Sequence, residues 1–358
     1  MGALSELQLS LLALALLFVL AVWSYNTWQE FKQRRAAAQI FSDHRGGDAL
    51  APDLAARAER QLERQPDRGE RIEPVIGGDP EEVAAAGAPP LQLADPDIDC
   101  LLRLTPRAEL AAPTFWQAQQ QRLDALADSL RWLAWHQGQW RQLGAHDAGN
   151  CSVFVGALQL ADRSGPLAEA TLDQLLAGAS DLAETIGAAL ESPVAAAVLA
   201  QAKALDRFCA GVDWRISLQL VRGDGKAFDA GALRAALDAG ELAATADGTM
   251  RAADAAGQTQ FVVAELTGAA LTEDQPCSGL SLSIDVPLVA DGTAAFDRLL
   301  AFARILSSAQ PAQLVDEQRS ALGEAALAAI RAKIAEFQDK MAAADVPAGG
   351  HRALRLYA

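Results

Sequence analysis

Two segments of this chain repeat one pattern of residues without a gap, and the repeat limits the folds available to it. LDQLLAGASDL (172–182) and FDRLLAFARIL (296–306) carry apolar residues at the spacing i, i+3, i+4 and i+7, which predicts two amphipathic helices. Each helix follows an alternating run, FVGALQL (154–160) or LSLSIDV (280–286), of the kind that forms a strand buried on one side. The shared order of strand and helix predicts two copies of one structural unit.

The residues before each repeat support the same interpretation. IDCLLRL (98–104) and WRISLQL (214–220) are strand candidates, and each precedes a segment with helical character. In the second copy we expect Asp229 to cap the amino terminus of that helix and Gly240 to end it.

The fold class that follows is α+β: an N-terminal transmembrane helix, a flexible linker, and two tandem split β-α-β units. Each unit has an antiparallel-rich sheet with helices on one face. The predicted boundaries are 1–35 for the membrane anchor and its basic flank, 36–97 for a disordered linker, 98–208 for the first α+β unit, 212–340 for the second unit, and 341–358 for a C-terminal tail.

The linker and the tail are predicted from composition and pattern. Residues 36–97 hold few large apolar side chains, so they bury too little surface to offset the entropy lost on ordering. In the tail, HRALRLYA (351–358) alternates leucine with other residues, and we hypothesise that it adds to a sheet edge as a strand. A frayed terminus is the alternative.

The membrane anchor is predicted from an uncharged apolar run at residues 7–25. At about 1.5 Å per residue, a helix of this length crosses a hydrocarbon layer of roughly 30 Å. Lys32, Arg34 and Arg35 follow the run, so the positive-inside rule places the amino terminus outside and the rest of the chain in the cytoplasm. The side chains expected to meet the lipid bilayer are Leu9, Leu12, Leu16, Phe18, Val22 and Trp23.

Composition and spacing argue against several other classes of function. A formal net charge of −16 is unfavourable for nucleic acid, whose phosphates need a basic surface. The histidines and cysteines lack the spacing of metal ligands, so we expect neither a metal nor another cofactor. The four cysteines are predicted to be reduced and mostly buried. Catalytic fingerprints such as GxSxG and the P-loop are also missing from the sequence, so we do not expect an enzyme.

Three stretches of the second unit resemble a known family. GLSLSIDVP (279–287), AFDRLLAFAR (295–304) and LVDEQRSALGEAALAAIR (314–331) are similar to the C-terminal domain of the ZipA family, the membrane anchors of the bacterial division protein FtsZ. The resemblance implies a non-enzymatic, single-pass inner-membrane adaptor that acts in septation. Its amino terminus would be periplasmic, and its cytoplasmic domain would hold the FtsZ C-terminal tail on the open face of a sheet. It also implies that Asp316 and Glu317 are structural and that they cap and position the final helix.

Alternation within the strands, together with the family alignment, predicts which side chains line that open face. Trp214, Ile216, Leu218 and Leu220 should point toward the helices, which leaves the intervening residues outside. The predicted partner-binding residues are Arg215, Ser217, Gln219, Asp247, Thr249, Val262, Ala264, Leu266, Ser281 and Ser283.

Most of these positions are polar where the family has apolar contacts. Each large apolar side chain missing from a peptide groove removes about 1.5–3 kcal/mol of available burial. Three hypotheses therefore remain: a polar variant of the FtsZ-tail site, a membrane-anchored division or envelope scaffold with a different partner, or a site on the first unit. In that unit Trp132, Trp135 and Trp140 are candidates for an aromatic platform, with core packing as the alternative.

Overall fold

The computed structural model describes residues 86–272 and 275–357, and all of these belong to one compact unit. The predicted membrane span at 7–25, with its six lipid-facing side chains, lies outside the described residues, as does the predicted linker up to residue 85. Among the residues that are described, none of the helices combines the length and apolar character needed to span a bilayer.

The first half of the described chain alternates strands and helices. In chain order its elements are β1 (Asp99–Pro106), β2 (Leu110–Ala111), α1 (Ala112–Leu123), β3 (Leu130–His136), β4 (Gln139–Leu143), β5 (Asn150–Cys151), β6 (Val153–Gln159), β7 (Ala161–Asp162), β8 (Gly165–Pro166), α2 (Glu169–Ile186), β9 (Ala188–Glu191) and α3 (Ala195–Val212). Five strands form the first sheet in the spatial order β4-β3-β6-β1-β9, with antiparallel pairing throughout. The two-residue strands pair as β2 with β5 and β7 with β8.

The second half contains another sheet and four more helices. Its elements are β10 (Arg215–Arg222), α4 (Ala230–Ala239), β11 (Leu242–Ala244), β12 (Met250–Ala253), β13 (Thr259–Glu265), β14 (Leu280–Asp285), α5 (Gly292–Ala309), β15 (Ala312–Val315), α6 (Glu324–Ala343) and α7 (His351–Leu356). Six strands form this second sheet in the order β11-β12-β13-β14-β10-β15, and all its pairs are antiparallel. The prediction of an α+β fold with antiparallel sheets is confirmed.

The two sheets share one arrangement, as the sequence repeat predicts. The order β6-β1-β9 in the first sheet corresponds to β14-β10-β15 in the second. The same spacing of 124 residues separates Leu172 from Phe296 and Ala188 from Ala312. The hairpins beside these three strands differ. In the hairpin β3–β4 the earlier strand, β3, pairs with β6, whereas in the hairpin β12–β13 the later strand, β13, pairs with β14. The repeat therefore extends to the topology but not to the chain order within the hairpin.

Each sheet packs against its helices through one face. In the second sheet, Leu218 of β10 and Leu282 of β14 are buried in one cluster with Phe296 and Leu299 of α5. In the first sheet, Leu102 and its neighbours pack in the same way against α1 and α2. The predicted cap is confirmed, since the Asp229 carboxylate accepts from the backbone N–H groups of Gly231 and Ala232 at the start of α4.

The C-terminal tail forms helix α7 instead of the predicted added strand. Its buried residues are Ala353, Leu356 and Tyr357, which are spaced to form one helical face. That face packs in a third apolar cluster with Ile98, the residue before β1, and with Cys209 of α3. The alternation of leucines was misleading because the residues that are buried together, Ala353, Leu356 and Tyr357, follow the helical spacing i, i+3 and i+4.

Ion pairs between arginine and aspartate hold α7 against the first half of the chain. Arg352 Nε donates to Asp95 Oδ2 at 2.6 Å, and the Asp95 side chain is only 2% exposed. Arg355 donates to both carboxylate oxygens of Asp99, which also accepts from Arg131. Burial alone would raise the pKa of Asp99, but hydrogen bonds from Arg355 and the Asp95 backbone, with the charge of Arg131, lower it below its usual value.

The last residues of the predicted disordered linker belong to the folded unit. Ala94 is buried, and Leu93 packs with it against Leu133 and Val155 on the side of the first sheet that faces away from the helices. The linker prediction differs from the structure here because composition counts only the apolar residues of the segment itself. The apolar surface that this segment covers comes from the sheet.

Candidate functional site

The outer face of the second sheet is the side turned away from helices α4 and α5. Its side chains alternate with the buried core residues along each strand, and they are those of Arg215, Ser217, Gln219, Val221, Arg251, Val262, Ala264, Leu266, Ser281, Ser283 and Asp285. Eight of the ten residues predicted from sequence to bind a partner lie on this face. Val221, Arg251 and Asp285 complete the face and were not among the predicted binding residues, although continuing the same alternation by two residues along each strand reaches all three.

The centre of the outer face is polar. Strand pairing places Ser217 opposite Ser283, and Ser283 opposite Val262. The hydroxyl oxygens of Ser217 and Ser281 lie 3.3 Å apart, within hydrogen-bonding distance. Serine hydroxyls both donate and accept hydrogen bonds, so this row can pair with the backbone of an extended segment laid across the strands.

An apolar corner adjoins the serines at one end of the face. A Cβ atom on Gly279 would lie 2.4 Å from Leu266 Cδ1 and 3.3 Å from Val221 Cγ1, so both side chains cover the bare backbone at this glycine. Ala264 is paired with Ser281 in the neighbouring row. Leu266, Val221 and Ala264 are half-buried and provide the main apolar contact surface of the face.

A buried carboxylate fixes the loop that carries Leu266. Glu265 is 8% exposed and accepts hydrogen bonds from the backbone N–H and hydroxyl groups of both Thr267 and Ser278. Burial alone would raise the pKa of Glu265, but these hydrogen bonds lower it to about 2. The charged carboxylate therefore holds the two ends of the loop together and sets the position of the apolar corner.

Charged groups lie at the opposite end of the outer face. Arg215 donates to Asp285 at 2.9 Å, and Arg163, from the turn between β7 and β8 of the first half, donates to the same carboxylate at 2.6 Å. Arg163 also pairs with Asp213 at 2.9 Å. This end of the face is therefore in contact with the first half of the chain, while the Arg215 side chain remains 65% exposed.

The two remaining predicted residues lie beside the face rather than at its centre. Asp247 is in the turn between β11 and β12, where its carboxylate accepts from the hydroxyl groups of Thr245 and Thr249 and from the Thr249 backbone. These hydrogen bonds, that of Thr245 first, lower the pKa of Asp247. Asp247 therefore stabilises its own turn, and Thr249 lies at the edge of the face at the level of Ala264, because Met250 pairs with Val263.

The aromatic residues considered as a platform on the first sheet point to both sides of it. Trp132 is buried on the helix side, where its ring contacts Phe115 at 4.9 Å and its Nε1 donates to Gln119. Trp135 and Trp140 lie together on the outer face, with ring centroids 5.6 Å apart. The three tryptophans therefore form no single platform, since Trp132 belongs to the core.

The acidic corner after β15 is a structural turn. The Asp316 carboxylate accepts from the backbone N–H of Ser320, and Arg319 adopts a positive φ of 63° within the same turn. Helix α6 begins at Glu324, and its N-cap residue is Gly323, which provides no side-chain cap. Asp316 therefore closes the turn and does not cap the helix, and Glu317 is exposed to solvent.

The outer face thus combines an apolar corner with a row of hydroxyl groups, which are the two kinds of contact that a peptide segment can use. Residues 215–333 match the family model of the ZipA C-terminal FtsZ-binding domain, which confirms the resemblance inferred from the sequence of the second unit. No curated protein matches the chain.

Proposed function

We propose that this protein is a cell-division adaptor that tethers FtsZ to the inner membrane by binding the FtsZ C-terminal tail on the outer face of the second sheet. The observation that carries the proposal is the family match, which includes every strand of the outer face and both helices packed behind it. The apolar corner at Leu266 and the serine row supply the contacts. In this role the protein binds its partner and catalyses no reaction.

The composition of the face limits the affinity that we expect. Leu266, Val262 and Val221 are its large apolar residues, and each contributes about 1.5–3 kcal/mol when fully buried. They are already half-buried, and ordering a peptide costs free energy. A dissociation constant of 1 μM requires about 8 kcal/mol. We therefore expect tail binding to be weaker than micromolar and to depend strongly on Leu266.

Binding is tested with the full chain in lipid nanodiscs, titrated with a labelled peptide of the host's FtsZ tail. Leu266→Asp should weaken binding at least tenfold, because it places a charge in the apolar corner. Ile305→Asp is the matched control, since Ile305 is an exposed apolar residue on α5, behind the sheet. If the two substitutions weaken binding equally, the peptide does not bind at Leu266 on this face.

Membrane attachment is the second part of the proposal, and it rests on the uncharged run at residues 7–25 and the cations after it. The full chain should sediment with membranes after alkaline carbonate washing, and a variant without residues 7–25 should not. Protease added to the outside of spheroplasts should remove an amino-terminal tag and leave the rest of the chain intact. Release of the full chain by carbonate would contradict a spanning anchor.

A second function is favoured by the polar centre of the face. Ser217, Ser281 and Ser283 stand in its middle, and these hydroxyls suit a partner that supplies hydrogen bonds rather than large apolar side chains. The protein would then be a membrane-anchored division or envelope scaffold of the same fold with another partner. Absence of saturable FtsZ-tail binding at high micromolar concentration would favour this alternative.

A further inference from the structure

The outer face of the first sheet is covered by the chain's own residues 86–94, which we call the strap. Leu93 and Ala94 of the strap pack on Leu133, Val155 and Ala157, and these three sheet residues are at most 3% exposed. The corresponding strands of the second sheet, β13 and β14, carry only half-buried side chains on their outer face. The strap therefore covers the centre of its sheet, while Leu101, Arg103 and Trp135 around it stay half-buried.

Side chains of the first sheet bind the strap through its backbone. Trp140 Nε1 donates to the carbonyl oxygen of Ala86 at 2.7 Å, and Arg103 donates to that of Gly87 at 2.8 Å. Arg131 donates to the carbonyl oxygen of Leu93, also at 2.8 Å. These three donors come from three different strands, β4, β1 and β3, so they hold an irregular segment that crosses the sheet.

The strap has the properties of a bound peptide rather than of a core element. Pro90, Leu91 and Gln92 in its middle are exposed, and Leu91 is 51% exposed. Its apolar attachment is concentrated at Leu93 and Ala94, near one end. Main-chain hydrogen bonds combined with an apolar side-chain contact are also what holds an extended peptide on a partner protein.

The face also carries a donor that the strap leaves unused. Trp135 lies beside Trp140, and its Nε1 atom is buried with no hydrogen-bond partner among the described residues. A buried donor without a partner costs free energy, and it is satisfied when a carbonyl group reaches it. A peptide that places a carbonyl group at this atom would gain a hydrogen bond that the strap does not make.

We propose that the outer face of the first sheet is a second peptide-binding surface and that the strap is its intramolecular ligand. The ligand class is a short apolar peptide with one leucine anchor and free backbone carbonyl groups. While the strap is seated, the surface is closed to other peptides, because a tethered ligand acts at an effective concentration in the millimolar range. The proposal is independent of FtsZ binding, since the two sheets present different faces.

The test uses the full chain in detergent micelles with ¹⁵N-labelled tryptophan, and the readout is the indole N–H resonance of Trp140. Leu93→Asp should release the strap and shift this resonance, because the hydrogen bond to Ala86 is lost. Leu91→Asp is the matched control, since it places the same charge at an exposed position of the strap. The indole resonance of Trp132, in the helix-side core, reports whether the fold is retained.

The probe is the synthetic peptide AGAPPLQLAD, which corresponds to residues 86–95. It should return the Trp140 resonance of the Leu93→Asp variant toward its wild-type position with saturation, and bind at least tenfold more weakly to the wild-type chain. The same peptide with aspartate in place of its second leucine should have no effect. If the Trp132 resonance also shifts in Leu93→Asp, the milder Leu93→Ala takes its place under the same criteria.

Two results would overturn the proposal. One is a Trp140 resonance that is the same in the strap variant and in Leu91→Asp, which would mean that the strap is not held by Leu93. The other is a released strap whose face takes no added peptide at millimolar concentration, which would make the strap a structural cover and not a ligand.

Discussion

The ion pair between Arg352 and Asp95 should contribute far more to stability than other ion pairs of similar geometry in this protein. Arg352 is on α7 and Asp95 precedes β1, 257 residues earlier, and their side chains are 12% and 2% exposed. Arg352→Met keeps the apolar length of the side chain but leaves the Asp95 carboxylate buried without its cation. Removing one partner of a buried pair costs about 3–5 kcal/mol.

A matched control is available on α6. Arg331 binds both carboxylate oxygens of Asp297, but the two side chains are 48% and 51% exposed. Arg331→Met should therefore cost no more than about 1 kcal/mol. Both arginines bind one carboxylate through Nε and a terminal nitrogen. Arg352 also pairs with Asp97 and Asp345, but these carboxylates are 64% and 87% exposed, so their loss should add little to the difference.

Urea unfolding of a fragment of residues 86–358, followed by circular dichroism, measures both costs. Arg352→Met should lower the free energy of unfolding by at least about 3 kcal/mol, or the thermal midpoint by roughly 6–12 °C. Adding Asp95→Asn should recover about half of this loss, because a neutral amide is less costly to bury than an unpaired carboxylate. Equal costs for Arg352→Met and Arg331→Met, within about 0.5 kcal/mol, would refute the reasoning.

Three further outcomes are expected. Glu265→Gln should destabilise the fold by about 1–3 kcal/mol and weaken peptide binding at Leu266, because the carboxylate accepts four hydrogen bonds. Glu317→Gln, on the exposed turn, should change neither the urea unfolding nor the peptide titration. The folded-state pKa is lowered for Glu265, to about 2, and for Asp99, so both groups stabilise the fold fully above their ordinary pKa values of 4.5 and 3.8 and lose this effect as the pH falls. The urea midpoint should therefore decrease from pH 6 to pH 2.5, and a midpoint that does not change with pH would contradict this. Burial raises the pKa of Cys100 and Cys277 to about 11. At pH 8 these thiols should therefore react slowly with a thiol reagent in the native protein and rapidly in the unfolded protein. Fast labelling of the native protein would show that the thiols are accessible.

Local sequence patterns account for most of the second sheet. The period of two in LSLSIDV and WRISLQL corresponds to the burial pattern of β14 and β10, so the polarity of the outer face could be predicted residue by residue. The four cysteines are buried and unpaired, as predicted. Asp247 was placed on the face by alignment, whereas its hydrogen bonds to Thr245 and Thr249 assign it to a turn. An alignment gives a position but not the hydrogen-bond partners of a side chain.

The sequence by itself determined the repeat, the α+β class and the polar character of the outer face, because these depend on periodicity within a few residues. The tertiary structure alone decided that residues 86–94 cover the first sheet, that the tail is a helix, and that Arg352 meets Asp95. The physical reason is that each of these outcomes depends on contacts between residues distant in the chain. The segments concerned are short and weakly patterned, so the surface that receives them, and not their own composition, determines their conformation.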